Sequence, residues 1–193
     1  MRLLVIGMIL FSAALAAAQE FPKAEIFGGY SYANMPLLTN RTSTNGWNAS
    51  ATINFYRWFG LTSDFGGLYG ADGGETLTLG TATVTEKVTE NIHTFMFGPQ
   101  VSYRRSRFVA FAHFLVGENR TGETISLAST SPVFVATSSG PRSATGSCAG
   151  MGLGVDFAIN KKLAWRLQGD SLITNNSSSN ARISTGLVFR IGH

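Results

Sequence analysis

Alternation between apolar and polar residues constrains this chain more than any other feature of its sequence. From Trp47 to Phe55, every second side chain is apolar, and the residues between them are Asn, Ser or Thr. Successive side chains of a β-strand point to opposite faces, so a period of two predicts a strand with one apolar and one polar face. Because the pattern recurs along the chain, we predict an all-β fold.

Eight segments are candidate strands. Alternation is visible in 25–32, 47–55, 59–69, 94–103, 150–159, 165–170 and 182–191. The eighth segment, Phe108–Val116, is apolar on both faces, which leaves its register open. His113 favours the odd-numbered face of that segment as the inner one, since a polar ring is costly in lipid.

The connections between these segments alternate between short and long. The short ones are Tyr56–Trp58, Arg105–Ser106 and Asn160–Lys162, and the long polar ones lie near 34–45, 70–90 and 118–144, with a shorter one near 175–180. Gly, Ser, Thr and Asn dominate the long stretches, which predicts irregular, mobile loops. Transmembrane barrels show this asymmetry, with short periplasmic turns and longer extracellular loops.

Aromatic residues cluster at the ends of the candidate strands. Tyr56, Trp58, Phe59, Tyr103, Phe108 and Trp165 lie beside the short connections, and Tyr32, Trp47 and Tyr69 lie beside the long ones. Aromatic side chains concentrate at the two membrane–water interfaces of transmembrane barrels. The two clusters therefore predict two interfacial girdles.

Charged residues of both signs occur on the polar face. They are Glu25, Asp64, Asp156 and Asp170 against Arg166, Arg182 and Arg190. A soluble β-sandwich also alternates, but its core is apolar, and buried charge is costly unless it is paired. We therefore predict that these side chains form a lumenal polar network. The fold class expected is a single eight-stranded antiparallel up-and-down transmembrane β-barrel with short periplasmic turns and long extracellular loops.

The first eighteen residues have the pattern of a cleavable signal peptide. Arg2 is followed by the apolar stretch Leu3–Leu15, and Ala16-Ala17-Ala18 is a small-residue cleavage site before Gln19. A retained membrane anchor is disfavoured, since the apolar stretch is shorter than the ~20 residues of a transmembrane helix. We expect residues 1–18 to be removed on export, and residues 19–193 to form the barrel domain.

Composition argues against several other classes of protein. Charged residues make up 13% of the chain, and no basic run accompanies the net charge of +4, so we expect no nucleic-acid partner. Cys148 is the single cysteine, which excludes an internal disulfide framework. No His/Asp/Glu cluster has ligand spacing, and Gly150–Gly154 is followed by neither a helix nor a lysine. We therefore expect no metal and no cofactor.

Several stretches resemble the OmpA-like and OmpX-like family of small outer-membrane barrels. They are Gly46–Ser50, Phe55–Leu61, Asp64-Phe65, Phe97–Arg104, Phe111–His113 and Gly150–Asp156. The resemblance covers nearly all of residues 24–191 apart from the long connections. It implies a barrel in the outer membrane of a bacterial cell, in contact with outer-membrane lipids, and it implies no particular activity.

The end of the chain resembles the signal that the barrel-assembly machinery recognises. Ser184, Gly186, Phe189 and Ile191 have its spacing of a polar residue, a glycine, and apolar residues at alternate positions. Such chains often end at an aromatic residue, and here Gly192-His193 follows instead. The resemblance implies the assembly machinery as a partner.

An eight-stranded barrel has an interior just wide enough for side chains, which favours a scaffold over a channel. We expect a non-catalytic protein with a structural or adhesive role, whose variable loops bind an unidentified surface ligand. One alternative is a lipid A-modifying enzyme, which needs a Ser–His–acid arrangement near the outer membrane edge. Of His93, His113 and His193, His93 alone lies near an outer strand end, on the lipid-facing parity. A minor pore for small solutes is a further alternative.

Overall fold

The computed structural model describes the backbone of residues 21–37, 40–79, 82–129, 138–174 and 177–192. It describes side chains over 21–34, 43–71, 89–124, 142–174 and 180–192. The expected signal peptide and its cleavage site lie outside these residues, as do parts of the predicted loops and His193. Within the described part of the chain, no helix is long and apolar enough to cross a membrane.

Eight antiparallel strands close into one barrel, in which each strand pairs with its neighbours in sequence and β8 pairs with β1. The strands are β1 Ala24–Leu37, β2 Asn40–Asn54, β3 Phe59–Leu79, β4 Ala82–Arg104, β5 Phe108–Ser129, β6 Ser138–Ala158, β7 Leu163–Thr174 and β8 Ser177–Ile191. This architecture confirms the predicted fold class. Closure pairs the backbone of every strand on both sides, as a lipid environment requires.

Residue parity decides which side chains face the lumen. In β7, Arg166 is 2% exposed, whereas the adjacent Leu167 is 45% exposed on the outer surface. In β5, Phe111 and His113 are buried and Phe114 lies on the outer surface. The odd-numbered face of β5 is therefore the inner one, as His113 indicated.

Two belts of aromatic side chains lie on the outer surface. Beside the short turns, Phe157 stacks on Trp165 with ring centroids 5.7 Å apart. Near the opposite end, Trp47 Nε1 donates a hydrogen bond to the Tyr69 hydroxyl over 3.4 Å, and that hydroxyl lies 3.2 Å from His93 Nε2. These belts have the positions expected of interfacial girdles and bound the part of the barrel that spans the membrane.

The short turns are confirmed at 55–58, 105–107 and 159–162. In the third turn, Asn160 Oδ1 accepts hydrogen bonds from the backbone amides of Lys162 and Leu163, both over 2.8 Å. A side-chain oxygen that replaces a backbone acceptor in this way is the reason asparagine favours tight turns.

The prediction of irregular loops was wrong for much of the long connections. The β3–β4 ladder continues to the pairs Leu77↔Val84 and Leu79↔Ala82, past a register shift between Gly73 and Thr76. The β5–β6 ladder similarly continues to Ser126↔Ser138. Thr and Val at alternate positions of 76–89 favour extended backbone. Alternation is present here only in the short runs Thr76–Leu79 and Thr83–Thr85, which are briefer than those of the membrane segments and follow a glycine pair.

Two carboxylates face each other in one of these extensions, above the outer girdle. Glu90 of β4 is the Cα partner of Glu123 of β5, and both are half-buried. Burial raises the pKa of the Glu90 carboxyl above its ordinary value of 4.5, and the charge of Glu123 raises it further. Because the pKa is higher in the folded state, protonation stabilises the hairpin. That stability is lost as the pH rises through the raised pKa.

We therefore expect Glu90→Gln to protect the β4–β5 ladder at pH 7. Amide hydrogen exchange in micelles should show protection factors about two- to fivefold higher near Glu90 and Glu123, the range for a partly exposed charge pair. Below pH 4.5, the ordinary value, the two proteins should converge. Glu118→Gln, on the outward face of β5, is the control and should change protection little at either pH. Equal effects of the two substitutions would contradict the assigned repulsion.

Candidate functional site: the barrel interior

The lumen nearest the short turns contains a carboxylate held by two arginines. Arg104 Nη1 donates to Glu25 Oε1 over 2.8 Å, and Arg104 Nη2 donates to Glu25 Oε2 over 3.2 Å. Arg190 Nε lies 3.7 Å from Glu25 Oε1. A bidentate guanidinium–carboxylate pair fixes both side chains in one geometry, so β1 and β4 are joined across the interior.

A second pair lies beside the first. Arg166 Nε and Nη2 donate to the two carboxylate oxygens of Asp156 over 2.7 and 2.9 Å. The guanidinium carbon also lies 4.3 Å from the ring centroid of Phe111 and 5.1 Å from that of Phe27. Contact with two aromatic rings stabilises a buried cation that has been removed from water. Arg190 Nη2, 4.0 Å from Asp156, connects this pair to Glu25.

The centre of the lumen holds an arginine between two aspartates. Arg182 Nη2 donates to Asp64 Oδ1 over 3.0 Å, and Arg182 Nε donates to Asp170 Oδ2 over 2.9 Å. The other oxygen of Asp170 lies 2.8 Å from His113 Nε2. Asn48 Nδ2 donates to Asp64 Oδ2 over 2.9 Å. Arg182, its two aspartates, the His113 ring and Asn48 thereby connect β2, β3, β5, β7 and β8.

Glycines of β6 provide the space for this network. A Cβ atom at Gly152 would collide with the Asp170 carboxylate, and one at Gly154 would collide with the Phe111 ring. Both positions face inward between strands that carry large lumenal side chains. The glycine repeat of β6 is therefore explained by packing against these lumenal side chains.

An apolar layer lies in the lumen on the extracellular side of the charged groups. It consists of Ala33, Leu68, Met96, Leu115, Cys148 and Leu172, all buried, with Ile92 packed against it. This layer was not predicted from the sequence, because apolar residues were assigned to the lipid face. Parity contained the signal: Leu68 has the parity of Asp64, and Leu172 has that of Asp170.

The structure places all the predicted network residues inside the barrel. Glu25, Asp64, Asp156, Arg166, Asp170 and Arg182 are each at most 5% exposed, and the Arg190 side chain is 9% exposed. Two members of the network were not predicted. They are Arg104, which binds Glu25, and His113, whose ring lies beside Asp170. Arg104 adjoins the basic turn residue Arg105 and resembles a turn residue in sequence, but it shares the parity of the buried Gln100.

The residues of the predicted assembly signal occupy both faces of β8. The Ser184 hydroxyl lies 3.0 Å from that of Ser31 in the lumen, whereas Phe189 and Ile191 lie on the outer surface. Gly186 packs closely on β1 at Gly28 and Gly29. Phe189 and Ile191 thus form an apolar ridge next to the β1–β8 closure, a feature that a barrel-inserting factor can contact. Recognition by the barrel-assembly machinery stays a prediction.

Metal-binding geometry is absent from the described residues: no group of three or more His, Cys, Asp or Glu side chains could hold an ion. The lumenal carboxylates are each occupied by arginine, histidine or amide donors. The chemistry of the interior is therefore mutual neutralisation of four carboxylates by four guanidiniums.

Comparison with known proteins gives a family and a fold. Residues 3–190 match the family model of the outer membrane protein beta-barrel domain. The chain belongs to this family. A comparison with the curated proteins gives no match.

Two solved structures illustrate the likeness. Ail, the attachment invasion locus protein of Yersinia pestis, crystallised with the heparin analogue sucrose octasulfate, is 11% identical with a TM-score of 0.59. That comparison covers 89% of this chain and 100% of Ail. Neisserial surface protein A is 10% identical with a TM-score of 0.55, over 88% of this chain and 97% of that one. At these identities the comparisons establish a shared fold: an eight-stranded outer-membrane barrel.

The network predicts a large cost for removing one central acid. Asp170→Leu leaves Arg182 with one carboxylate and His113 with none, and it should lower the free energy of unfolding by about 3–5 kcal/mol, as for a broken buried pair. Unfolding in urea from lipid vesicles, followed by tryptophan fluorescence, would measure the change.

The adjacent residue offers a matched control. Ser171→Leu introduces the same side chain one residue away, on the outer surface of β7. It should change stability by less than about 1 kcal/mol, since an apolar side chain suits that face. Similar destabilisation by both substitutions would contradict the importance of the ion pairs.

Proposed function

We propose that this protein is a non-catalytic outer-membrane scaffold that presents extracellular hairpins for interaction at the cell surface. The observation that carries the proposal is a lumen filled by paired charges and an apolar layer, beneath strands that continue beyond the outer girdle. A lumen packed with side chains keeps the barrel wall rigid, so the hairpins are held on a fixed base. The hairpins supply the variable surface.

The sequence of the extracellular part indicates what kind of ligand it favours. Its basic residues are Arg41, Lys87, Arg120 and Arg142, and its acidic residues are Asp72, Glu75, Glu86, Glu90, Glu118 and Glu123. Ail binds a heparin analogue, which is strongly anionic. The acidic excess here opposes a polyanion. We therefore propose that this protein shares the display mode of such barrels and favours a neutral or basic partner.

Shortening the hairpins tests the proposal. In β3–β4, residues 72–88 are replaced by Asn-Gly between the paired Ala71 and Thr89; in β5–β6, residues 124–141 are replaced between Glu123 and Arg142. Asn-Gly forms the tight turn that matches strand twist. Cells that carry the doubly shortened protein should adhere at least about fivefold less than cells that carry the native protein. Cells that carry the native protein should bind poly-lysine surfaces better than heparin surfaces.

Each single shortening serves as a control for the other, and heat-modifiability on gels verifies that the barrel is folded. A tag is used to match the surface amounts of the native and shortened proteins. Adhesion of the cells is then compared on the two coatings and on a cultured epithelial layer. Adhesion that persists at the native level in the doubly shortened protein would contradict the surface-interaction role.

A pore for small solutes is the weaker alternative. The same lumenal contents oppose it, because passage would require the network around Arg182 and the apolar layer around Met96 to open together. In a planar bilayer, the purified protein should show no steady conductance, and rare brief events are compatible with rearranging ion pairs. Large stepwise currents from the monomer would replace the scaffold proposal with transport.

An enzyme that modifies lipid A receives less support from the geometry. His93, at the outer girdle, hydrogen-bonds with the Tyr69 hydroxyl, and His113 is in the lumen beside Asp170. Neither described hydrogen bond is to a serine that could act as a nucleophile. The absence of catalysis is part of our proposal, together with export by a signal peptide cleaved after Ala18 and delivery by the barrel-assembly machinery.

A further inference from the structure

The end of the barrel formed by the short turns is strongly basic. Its cations are Lys23, Arg57, Arg105, Arg107, Lys161 and Lys162, and the three turns 55–58, 105–107 and 159–162 contain no Asp or Glu. Glu25 and Asp156, the carboxylates in the lumen near this end, are paired with Arg104 and Arg166. In sequence, the next carboxylate is Glu20. The opposite end has an acidic excess, so the molecule is polarised along its axis.

Three of these cations surround a pocket of about 620 Å³ between the first and second turns. Its apolar wall consists of Phe55, Tyr56, Trp58 and Tyr103, and its cations are Lys23, Arg57 and Arg105. Phe55, Trp58 and Tyr103 lie on the outer surface of the barrel, where lipid contacts the protein. The pocket therefore combines an apolar wall with positive charge at the depth of the inner girdle.

Hydrogen bonds from arginine side chains to backbone carbonyls hold the pocket in place. Arg57 Nη2 donates to the Arg104 carbonyl over 3.0 Å, and Arg104 Nε donates to the Arg57 carbonyl over 2.9 Å. Arg105 lies over the Tyr103 ring at 5.0 Å, and Lys23 lies over the Phe21 ring at 4.3 Å. Lys23, Arg57 and Arg105 form no ion pair with the carboxylates that the structure describes.

We propose that this pocket binds the phosphate headgroup of an anionic phospholipid in the periplasmic leaflet. The three cations would contact the phosphate, and the first acyl carbons would lie against Trp58 and Tyr103. Basic side chains at a membrane surface attract anionic lipids, and basic pockets bind their headgroups. The inference requires the orientation with short turns in the periplasm, but not the proposed role of the extracellular hairpins.

Peptidoglycan, the anionic polymer of the cell wall, is the competing occupant. The position of the pocket favours lipid, because its aromatic wall belongs to the surface that faces the acyl chains. A carbohydrate or peptide strand would be expected to contact the outward tips of the turns instead. Aromatic side chains at the girdle are amphipathic and suit the headgroup region.

Trp58 provides a direct probe. In a Trp47→Phe, Trp165→Phe background, the remaining Trp58 reports lipid contact through quenching by acyl-brominated lipids. The protein is reconstituted in vesicles of phosphatidylcholine that contain small fractions of brominated phosphatidylglycerol or brominated phosphatidylcholine. We expect stronger quenching by the phosphatidylglycerol at equal fraction. The triple substitution K23Q/R57Q/R105Q should reduce that preference at least about fivefold, since each basic side chain contributes about that factor.

The matched control removes three cations from the same end of the barrel but outside this pocket. R107Q/K161Q/K162Q should retain most of the preference, and R57K, which keeps the charge, should retain it as well. Heat-modifiability verifies folding of every variant. Equal loss in the two triple variants would show diffuse attraction and would overturn the site. The proposal would also be overturned if the native protein showed no preference for phosphatidylglycerol. Charge-dependent retention on purified peptidoglycan, in the absence of that lipid preference, would overturn it in favour of the cell wall.

Discussion

Pairing between carboxylates and guanidiniums inside the barrel is the constraint on which the rest of the structure depends. Each charge is buried, and a buried charge without a partner costs several kcal/mol. Arg182 has partners only if β3, β7 and β8 are in a register that places Asp64, Asp170 and Arg182 at one depth in the barrel. The network therefore fixes strand register as well as stability. A slip by one residue in any of these strands would move a charge into lipid.

Parity made the faces of the strands predictable from the sequence, including that of Arg166 and Asp170. It could not predict which acid meets which base, because partners such as Glu25 and Arg104 are distant in the chain and depend on barrel closure. The apolar layer that contains Leu68 and Leu172 was missed for a different reason. Hydropathy alone assigns leucine to lipid, whereas parity relative to Asp64 assigns it to the lumen.

The extracellular extensions show where the alternation rule stops being informative. Between Tyr69 and His93 the chain leaves the bilayer, and hydrogen-bonded pairing continues through a stretch rich in Gly and Thr. Composition therefore suggested a loop where the backbone forms a ladder. The propensity of Thr76–Thr89 for extended structure was the available signal, and it was outweighed by the glycines at 73 and 74.

Arg104 connects the lumenal network to the basic pocket at the periplasmic surface. Its Nη atoms hold Glu25 in the lumen, while its Nε and carbonyl hold Arg57 at the periplasmic surface. One guanidinium thus joins the filled interior to the rim of the basic pocket. The position of Arg57 is consequently set by the network and not by the turn alone. A barrel that is held rigid by its lumenal network is, for the same reason, preorganised at its periplasmic rim for the anionic headgroup that we propose.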